Sequence, residues 1–259
     1  MITTAVILAA GTGTRLRPHT HDKPKCLVDA GGMSLLERQL GSLQMNGFKK
    51  VFIVTGYCHK VIESWLSDHP QPMQVELIFN SSYAETNNIY SVYLLKDLIH
   101  EGFVLLEADL IYDTYALRHF RMGDRIALSE FDASIHHGTS AEIDSDHNLV
   151  QLITDRNHGT IPGRFKTVNI TSFSTLTWDR FKSALHTEIT AGNVSIFYEQ
   201  VIRNLVKDGI IRLKAVDFTN IWWDEIDNQN DLDRVNSHFE AFNYAFEHQT
   251  QTPSFIVSD

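Results

Sequence analysis

The feature that most constrains the fold is an apolar segment at the N-terminus that ends in a loop of small residues. Residues Thr3–Leu8 carry no charge, and the loop Ala9–Thr14 that follows contains two glycines. An apolar strand without polar alternation is typical of a parallel sheet that is covered on both faces. Glycine lets successive backbone N–H groups point into one concavity, which favours an anion. The segment therefore predicts an α/β fold with an anion-binding loop after its first strand.

Basic residues follow the loop at short range. Arg15 comes directly after it, and Lys25 belongs to a second basic cluster, Lys23–Lys25. An arginine offers a planar fork and a lysine a compact ammonium, and both suit a polyphosphate. Two common phosphate loops are excluded, because Gly13 is not followed by Lys-Ser/Thr and Leu16 stands where the dinucleotide fingerprint needs its third glycine.

The rest of the chain alternates apolar strands with helical segments, as expected for a sheet with helices on both faces. Ser34 and Glu37 have the spacing of a helix N-cap. The pattern predicts helices over 34–40, 59–66, 87–98, 178–186, 194–207 and 231–246. It predicts strands over 51–55, 75–79, 103–106, 125–131, 134–137, 148–153, 165–173 and 210–216.

Composition narrows the class of protein. The net charge of −10 disfavours nucleic acid as a partner, and no apolar run reaches the length of a membrane span. Cys26 and Cys58 lack metal or redox spacing, and the chain starts without signal-peptide architecture, so we expect a cytoplasmic protein. Histidines 19, 21, 136, 137 and 158 show no metal spacing and are interpreted as loop or surface residues.

The segment Leu8–Leu16, together with Lys23–Lys25, resembles the signature of nucleotidyltransferases that build nucleotide-diphosphate sugars and alcohols. The resemblance implies a Rossmann-like mixed, mostly parallel sheet flanked by helices. It also implies one domain over 1–247, with an acceptor-binding subregion at about 110–225 and a polar tail over 248–259. Lys25 and Arg15 would be catalytic. The nucleotide would be bound by Leu8, Ala9, Ala10, Gly11, Thr12, Gly13, Thr14, Arg15 and Lys25.

Two aspartates are candidates for a metal site. Asp109 follows the predicted strand 103–106, and Asp227 lies in the acidic segment Trp222–Asn228. A strand-end aspartate alone is often a turn or helix cap. In the family that the chain resembles, however, one aspartate from each place holds Mg²⁺ against the nucleotide phosphates. Glu107 stands where that family often has an aspartate, which leaves its role open.

The segment Asn80–Ser91 looks like the one found in cytidylyltransferases that activate phosphocholine or 2-aminoethylphosphonate. This resemblance implies CTP as the donor and a small phosphate or phosphonate acceptor, and an asparagine-capped helix is the alternative. Aromatic faces and carboxylates favour a cation, so Trp222 could join the acceptor pocket, although the tryptophans could equally belong to the core. The acceptor-binding candidates are Asn87, Asn88, Ser91, Lys166, Tyr198, Glu199, Trp223 and Glu225.

The sequence thus predicts a Mg²⁺-dependent cytidylyltransferase that releases pyrophosphate, with phosphocholine, phosphoethanolamine or 2-aminoethylphosphonate as acceptor. A sugar-1-phosphate or amino-acid-phosphate nucleotidyltransferase remains an alternative, as does a catalytically silent nucleotide-binding regulator. A glycosyltransferase would share the acidic strand end but would not need the loop with Lys25. The sequence leaves a monomer and a homodimer open.

Overall fold

A computed structural model describes residues 1–132, 134, 136–154 and 163–249, with side chains described as far as 241. Eleven strands and six α-helices are found in this part of the chain. The strands are β1 Thr4–Ala9, β2 Lys50–Thr55, β3 Gln74–Phe79, β4 Phe103–Glu107, β5 Leu110–Tyr112, β6 Arg125–Glu130, β7 Ser140–Ile143, β8 Leu149–Ile153, β9 Phe165–Phe173, β10 Lys214–Asp217 and β11 Trp223–Glu225. The helices are α1 Leu35–Met45, α2 His59–Asp68, α3 Asn88–Tyr93, α4 Thr175–Thr190, α5 Tyr198–Lys207 and α6 Gln229–Gln249.

The central sheet has the order β10-β6-β9-β4-β1-β2-β3. Strand β1 runs parallel to β2 and β4, β2 runs parallel to β3, and β10 runs parallel to β6. Strand β9 lies antiparallel between β4 and β6, and β7 and β8 extend the sheet from β9. The mixed, mostly parallel α/β sheet predicted from the sequence is confirmed.

Helices cover both faces of this sheet because successive residues of its inner strands point to opposite sides. On one face Ile7 of β1 belongs to a buried cluster that includes Leu36 of α1 and Ile62 of α2. On the other face Val6 belongs to a cluster with Val92 of α3 and Trp178 of α4. The inner strands are therefore fixed between two apolar layers, and their carboxyl ends form a rigid platform.

Strand register brings the two halves of the candidate site together. Leu8 of β1 is paired with Glu107 of β4, so the small-residue loop lies beside Asp109. Strands β5 and β11 form a separate antiparallel ribbon in which Leu110 is paired with Glu225. The Ile226 N–H donates to the Asp109 carbonyl oxygen at 3.0 Å, which places Asp227 next to Asp109 although the two are 118 residues apart.

The strand predicted over 134–137 is wrong for its described residues, Ser134, His136 and His137, none of which is in a strand. The Asp132 side chain accepts a hydrogen bond from the Ser134 N–H, which favours a turn, and the strand starts only at Ser140. The Ser34 cap is confirmed, since its hydroxyl accepts from the Glu37 N–H at 3.3 Å.

Three other predicted elements are shorter than expected. Helix α3 ends at Tyr93 because the next residues form single turns such as Leu95 N–H to the Val92 carbonyl. Helix α5 starts at Tyr198 because the Val194 carbonyl accepts from the Asn87 N–H, which holds that segment outside the helix. Strand β10 begins at 214 rather than 210. Most of the predicted tail, 250–259, lies outside the described residues.

Among the described helices, none has the length and apolar character that crossing a bilayer requires.

Candidate active site

The small-residue loop is held by its glycines and by short helical turns. Gly13 has a φ of +60°, and a Cβ there would lie 3.1 Å from Thr20 and 3.2 Å from the Cβ of Lys25. The Thr20 hydroxyl donates to the Gly13 carbonyl at 2.7 Å. A glycine is therefore required both for the backbone conformation and for the close approach of Lys25.

An ion cluster lies at the mouth of this loop. The Lys25 ammonium is 2.8 Å from Asp109 Oδ2 and 2.7 Å from Asp227 Oδ1. Arg15 Nη2 is also 2.7 Å from Asp227 Oδ1, but the Arg15 side chain is 70% exposed while that of Lys25 is only 16% exposed. The Lys25 contacts are less screened by water than the Arg15 contact, so Lys25 is the dominant cation of the cluster.

The charges of this cluster fix its protonation states. Burial disfavours the charged form of Lys25, but Asp109 and Asp227 outweigh that effect and raise its pKa. Burial alone would raise the pKa of Asp227, yet Lys25 and Arg15 lower it. At neutral pH Lys25 is therefore charged and Asp227 is ionised.

Three carboxylates could hold a metal ion. One oxygen from each of Asp109, Glu225 and Asp227 lies within 4.8 Å of the others. The second oxygen of Asp109, Oδ1, is buried without a hydrogen-bond partner. A hard divalent cation prefers such oxygen ligands, so the donor set fits one. Glu225, predicted only as an acceptor-binding residue, joins the two predicted aspartates.

The first cavity, of about 340 Å³, lies between the small-residue loop and the start of α3. Thr12 of the predicted nucleotide loop is not among its lining residues. Asn87 and Ser91, predicted to bind the acceptor, line this cavity instead. The lining residues are Leu8, Ala9, Ala10, Gly11, Gly13, Thr14, Arg15, Lys25, Cys26, Asn80, Tyr83, Thr86, Asn87, Asn88, Ser91, Glu107, Ala108, Asp109 and Asp227.

A second cavity, of about 490 Å³, lies on the other side of the ion cluster. Five of the residues that were predicted to bind the acceptor line this cavity: Asn88, Lys166, Glu199, Trp223 and Glu225. Five residues line both cavities: Arg15, Asn88, Glu107, Asp109 and Asp227. The two cavities therefore meet at the carboxylates that could hold the metal.

Lys166 and Trp223 form one wall of the second cavity. Lys166 is 2% exposed, and its ammonium lies 2.7 Å from the Thr167 carbonyl oxygen and 3.4 Å from Glu225 Oε2. His136 is stacked on the Trp223 ring with centroids 5.2 Å apart. The interpretation of His136 and His137 as loop or surface residues is incomplete, because both line this cavity. His158 lies outside the described residues.

Asn88 joins two glutamates across the cavity. Its amide nitrogen donates to Glu107 Oε1 at 3.2 Å and to Glu199 Oε2 at 3.5 Å, and its oxygen accepts from the Tyr198 N–H. Burial raises the pKa of Glu199 to about 7. Burial, followed by the charges of Asp109 and Glu199, also raises the pKa of Glu107 well above its usual range.

Two of the aromatic residues predicted near the acceptor, Tyr198 and Trp222, line neither cavity. Tyr198 is 2% exposed, and its hydroxyl donates to Glu107 from behind the cavity wall rather than lining it. Trp222 is stacked on His238 at 3.9 Å and packs with Phe239, away from both cavities. Both residues are structural because their aromatic faces are used in packing.

Helix α6 holds the segment that carries Asp227. Asp231 Oδ2 accepts from the N–H groups of Asp227 and Asn228 at 2.9 and 3.0 Å. Arg234 binds Asp224 through two nitrogens, at 2.7 and 2.6 Å, and also contacts Asp231 at 3.0 Å. A bidentate arginine pair fixes orientation as well as distance, so α6 sets the position of Asp227.

Sequence reasoning missed several lining residues of the second cavity, including Thr139, Asn169, Phe197 and Arg234. Asn169 lies in the predicted strand 165–173, three residues after the acceptor-binding candidate Lys166. Its φ of +58° and the resulting side-chain direction are not visible in a strand pattern.

Comparison with known proteins gives the site a family context. Residues 4–128 match the family model described as nucleotidyl transferase. The chain is 26% identical to choline-phosphate cytidylyltransferase of Streptococcus pneumoniae strain R6, over 89% of this chain and 96% of that protein. It is 24% identical to CMP-5'-(3-aminopropyl)phosphonate synthase of Streptomyces rubellomurinus, over 91% of this chain and 38% of that protein. It is also 34% identical to 2-aminoethylphosphonate cytidylyltransferase of Lancefieldella rimae, over 42% of this chain and 44% of that protein.

Solved structures show the same fold. CTP:phosphocholine cytidylyltransferase from Streptococcus pneumoniae matches with a TM-score of 0.78 at 23% identity, over 92% of this chain and 99% of that chain. UDP-glucose pyrophosphorylase complexed with UDP-glucose matches with a TM-score of 0.76 at 14% identity, over 95% of this chain and 100% of that chain.

Proposed function

We propose that this chain, whose residues 4–128 belong to the nucleotidyl transferase family, transfers CMP from CTP to a small phosphate or phosphonate acceptor. The observation that carries the proposal is the meeting of two cavities at the Lys25–Asp109–Asp227 cluster. The first cavity contains the small-residue loop and would hold the nucleotide. The second would hold the acceptor, so that the two reacting groups meet at the cluster.

The metal in this proposal is Mg²⁺, held by Asp109 and Asp227 with Glu225 in reach. When bound, it would neutralise the phosphate charge that builds up where the two substrates meet. The buried oxygen of Asp109 without a hydrogen-bond partner supports a metal at this point. A buried polar atom is otherwise costly to leave unsatisfied.

The chemical step is an in-line displacement at phosphorus. An oxygen of the acceptor phosphate or phosphonate forms a bond to the α-phosphorus of CTP, and the bond from that phosphorus to the bridging oxygen breaks. Both electrons of that bond leave with pyrophosphate, and the acceptor is joined to CMP through a P–O–P anhydride linkage. The attacking oxygen is already anionic at neutral pH, so no residue needs to remove a proton.

The protein's task is therefore to hold two anions together and to stabilise the charge of the transition state. In our proposal Lys25 turns from the carboxylates to the phosphates, since its raised pKa keeps it charged. Arg15, exposed at the mouth, meets the outer phosphates. The backbone N–H groups of the small-residue loop orient the remaining phosphate oxygens.

The choice of CTP is supported by the named activities of the relatives from Streptococcus pneumoniae, Streptomyces rubellomurinus and Lancefieldella rimae. We further propose that residues 1–247 form one domain, with acceptor-binding residues within about 110–225, and that the reaction takes place in the cytoplasm. A homodimer is tested by sedimentation of the purified chain.

The test is pyrophosphate release with Mg²⁺, crossing the four common nucleoside triphosphates with a panel of acceptors. The panel contains phosphocholine, phosphoethanolamine, 2-aminoethylphosphonate, an amino-acid phosphate and glucose-1-phosphate. We expect turnover with CTP and a small amine-containing acceptor. Turnover confined to glucose-1-phosphate would replace the acceptor class, and CTP binding without turnover on the whole panel would favour a regulatory protein.

A further inference from the structure

A buried polar face of α1 packs against the chain segment that carries Asp109. It consists of Gln39 and Ser42, three residues apart on the helix, and Asn46 at the C-terminal end of the helix. The side chains of all three donate to backbone carbonyl oxygens within residues 107–114. None of the three lines either cavity. This face therefore holds the segment from outside the candidate site.

Gln39 binds both ends of the turn that contains Asp109. Its Nε2 atom donates to the Glu107 carbonyl oxygen at 2.9 Å and to the Leu110 carbonyl oxygen at 3.0 Å. An amide NH₂ group has two hydrogens and a carbonyl oxygen can only accept, so both hydrogens are used. The reverse orientation of the amide would bring three oxygens together with no hydrogen between them. The two bonds therefore fix the backbone on either side of Asp109.

The other end of the Gln39 amide shows that this arrangement has a cost. The Gln39 side chain is 1% exposed, and its Oε1 atom has no hydrogen-bond partner among the described residues. A buried polar atom without a partner is unfavourable. An apolar side chain of similar size would avoid that cost, but it would also remove the donor that serves the two carbonyl oxygens. The turn, rather than packing, therefore explains a glutamine at this position.

The same helix also holds the segment that carries Lys25. The Leu35 N–H, in the first turn of α1, donates to the Val28 carbonyl oxygen at 3.2 Å. Val28 comes three residues after Lys25, and Gln39 comes about one helical turn after Leu35. One helix therefore supports both sides of the 2.8 Å contact between Lys25 and Asp109.

We propose that Gln39 is a positioning residue that holds the Asp109 carboxylate where it can share a divalent cation with Asp227. Gln39 lines neither cavity and acts through the backbone of the turn that it binds. Contacts of this kind orient metal ligands, and their loss lowers metal affinity. This inference rests on the proposed function, in which Asp109 is a ligand of Mg²⁺.

The test compares Gln39→Met with Ser42→Ala. Methionine keeps the length of the side chain and removes both bonds to the turn. Ser42→Ala removes a bond from the same buried face, but its partner is the Thr114 carbonyl oxygen, five residues after Asp109. Both variants should lower the melting temperature, so a merely structural effect is common to them. Gln44→Met, at an exposed position of α1, is the control for the chemical change.

The main measurement is the dissociation constant for Mg²⁺, taken from the rise of the melting temperature with Mg²⁺ concentration in the absence of substrates. We expect this constant to increase about tenfold or more in Gln39→Met and to stay unchanged in Ser42→Ala and Gln44→Met. At saturating Mg²⁺, kcat of Gln39→Met should fall about tenfold, because groups at the reacting phosphates are misplaced. KM for CTP should change little, since the small-residue loop is not altered.

Gln39→Asn is a second variant that keeps the amide but sets it back by one methylene group. Its Mg²⁺ constant should change in the same direction, and it takes the place of Gln39→Met if the methionine variant does not fold. An unchanged Mg²⁺ constant in these variants would overturn the inference. An equal loss of Mg²⁺ affinity in Ser42→Ala would also overturn it, because the effect would then follow stability rather than the turn.

Failure of the proposed function has a different signature. An unaltered protein that Mg²⁺ does not stabilise would overturn the metal site itself, and the role of Gln39 with it. Mg²⁺ binding without turnover on the whole acceptor panel would overturn the transfer reaction. The positioning role of Gln39 would then still be supported by a weaker Mg²⁺ affinity in its variants.

Discussion

At the scale of the residue, Lys25 occupies the position where opposite charges are most concentrated. Its ammonium contacts both candidate metal ligands and lies behind the small-residue loop. A single side chain thus neutralises the carboxylates in the free protein and is available for the phosphates of a bound nucleotide. In our proposal the same residue neutralises the carboxylates without substrate and stabilises phosphate charge when substrate is bound.

Replacing this side chain should affect chemistry more than binding. In Lys25→Ala we expect kcat to fall by about 10²–10³-fold, because a pre-positioned charge at the reacting phosphates is lost. CTP affinity, measured by calorimetry, should change much less, since the backbone N–H groups of the loop remain.

Lys60→Ala is the control, as Lys60 is an exposed lysine of α2 paired only with Glu63. Full turnover by Lys25→Ala would contradict the catalytic role of Lys25.

Glu199 makes a prediction about pH. Its pKa is raised to about 7, so its charge is unfavourable in the folded protein and less so in the unfolded chain. The stability it contributes is complete below about pH 4.5 and is lost as the pH rises through 7. Glu199→Gln should therefore raise the free energy of unfolding at pH 8 by about 1–3 kcal/mol, and by far less at pH 5.

Urea unfolding of both proteins at the two pH values measures this difference. The groups that face Glu199 are Asn88, Glu107, Lys166 and Glu225, and none of them is altered by the variant. Glu63→Gln is an exposed control in which the pH dependence should have the opposite sign, because the hydrogen bond from Lys60 lowers the Glu63 pKa. Equal stabilisation by Glu199→Gln at pH 5 and pH 8 would contradict the assignment.

At the scale of the element, helix α6 supports Asp227, the candidate metal ligand that comes last in the sequence. Its first turn accepts the backbone N–H of Asp227, and Arg234 clamps β11 through Asp224. Partners of this kind orient a metal ligand without touching the metal. The helix therefore supports the candidate metal ligand Asp227 from outside the proposed metal site.

We expect Asp231→Ala to raise the Mg²⁺ concentration needed for half-maximal activity by about tenfold or more, because Asp227 loses its backbone anchor. Asp233→Ala, on the same helix but bound only to Gln229 by its side chain, should leave the Mg²⁺ dependence unchanged. A Mg²⁺ titration of pyrophosphate release measures both. An identical titration curve for the two variants would show that α6 does not position Asp227.

Among the elements, the N-terminal parallel strands could be predicted from the sequence, whereas the strands and turns around the second cavity could not. Strands β1, β2 and β4 are almost entirely apolar and buried, which leaves few alternatives for them, whereas the edge strand β3 is partly exposed and carries Gln74 and Glu76. The small-residue loop and Ser34 could be read from local chemistry.

The bulge that contains Asn169 depends on the pairing of β9 with β6. The turn that replaces the predicted strand after Asp132 depends on a hydrogen bond from the Ser134 N–H to the Asp132 side chain. The periodicity of the sequence reveals neither.

At the scale of the whole molecule, two cavities share one ion cluster, so binding in one is linked to the other. In the free protein Lys25 lies within 2.8 Å of the two aspartates that would bind Mg²⁺, and the two cations would repel each other. A nucleotide offers Lys25 another partner. We infer that Mg²⁺ and CTP favour each other's binding.

Thermal unfolding tests this coupling. The stabilisation by Mg²⁺ and CTP together should exceed the sum of the separate effects by about 1–3 kcal/mol. In Lys25→Met the stabilisation by Mg²⁺ alone should increase, because the competing ammonium is gone. The amount by which the joint stabilisation exceeds the sum of the two separate effects should decrease. Strict additivity in the unaltered protein would contradict the linkage.

The sequence also indicated which residues meet in three dimensions, but only in part. Lys25, Asp109 and Asp227 were grouped by resemblance, and the structure shows them in contact. Glu225 as a third carboxylate depends on its pairing with Leu110 in the ribbon β5–β11, and Tyr198 at the start of α5 is held by Asn88; both contacts join residues more than a hundred positions apart. Trp222 is covered by His238 of α6, 16 residues away. None of these contacts leaves a local pattern.

The ribbon between β5 and β11 has a consequence for the order in which the protein becomes active. During synthesis the loop, Lys25 and Asp109 leave the ribosome early, while Asp227 follows 118 residues after Asp109. N-terminal segments fold first as a chain emerges. A nascent chain thus has the elements of its nucleotide cavity long before the carboxylates that would complete the metal site. On the proposed function, activity should begin only when α6 has been made and has fixed Asp227 in place.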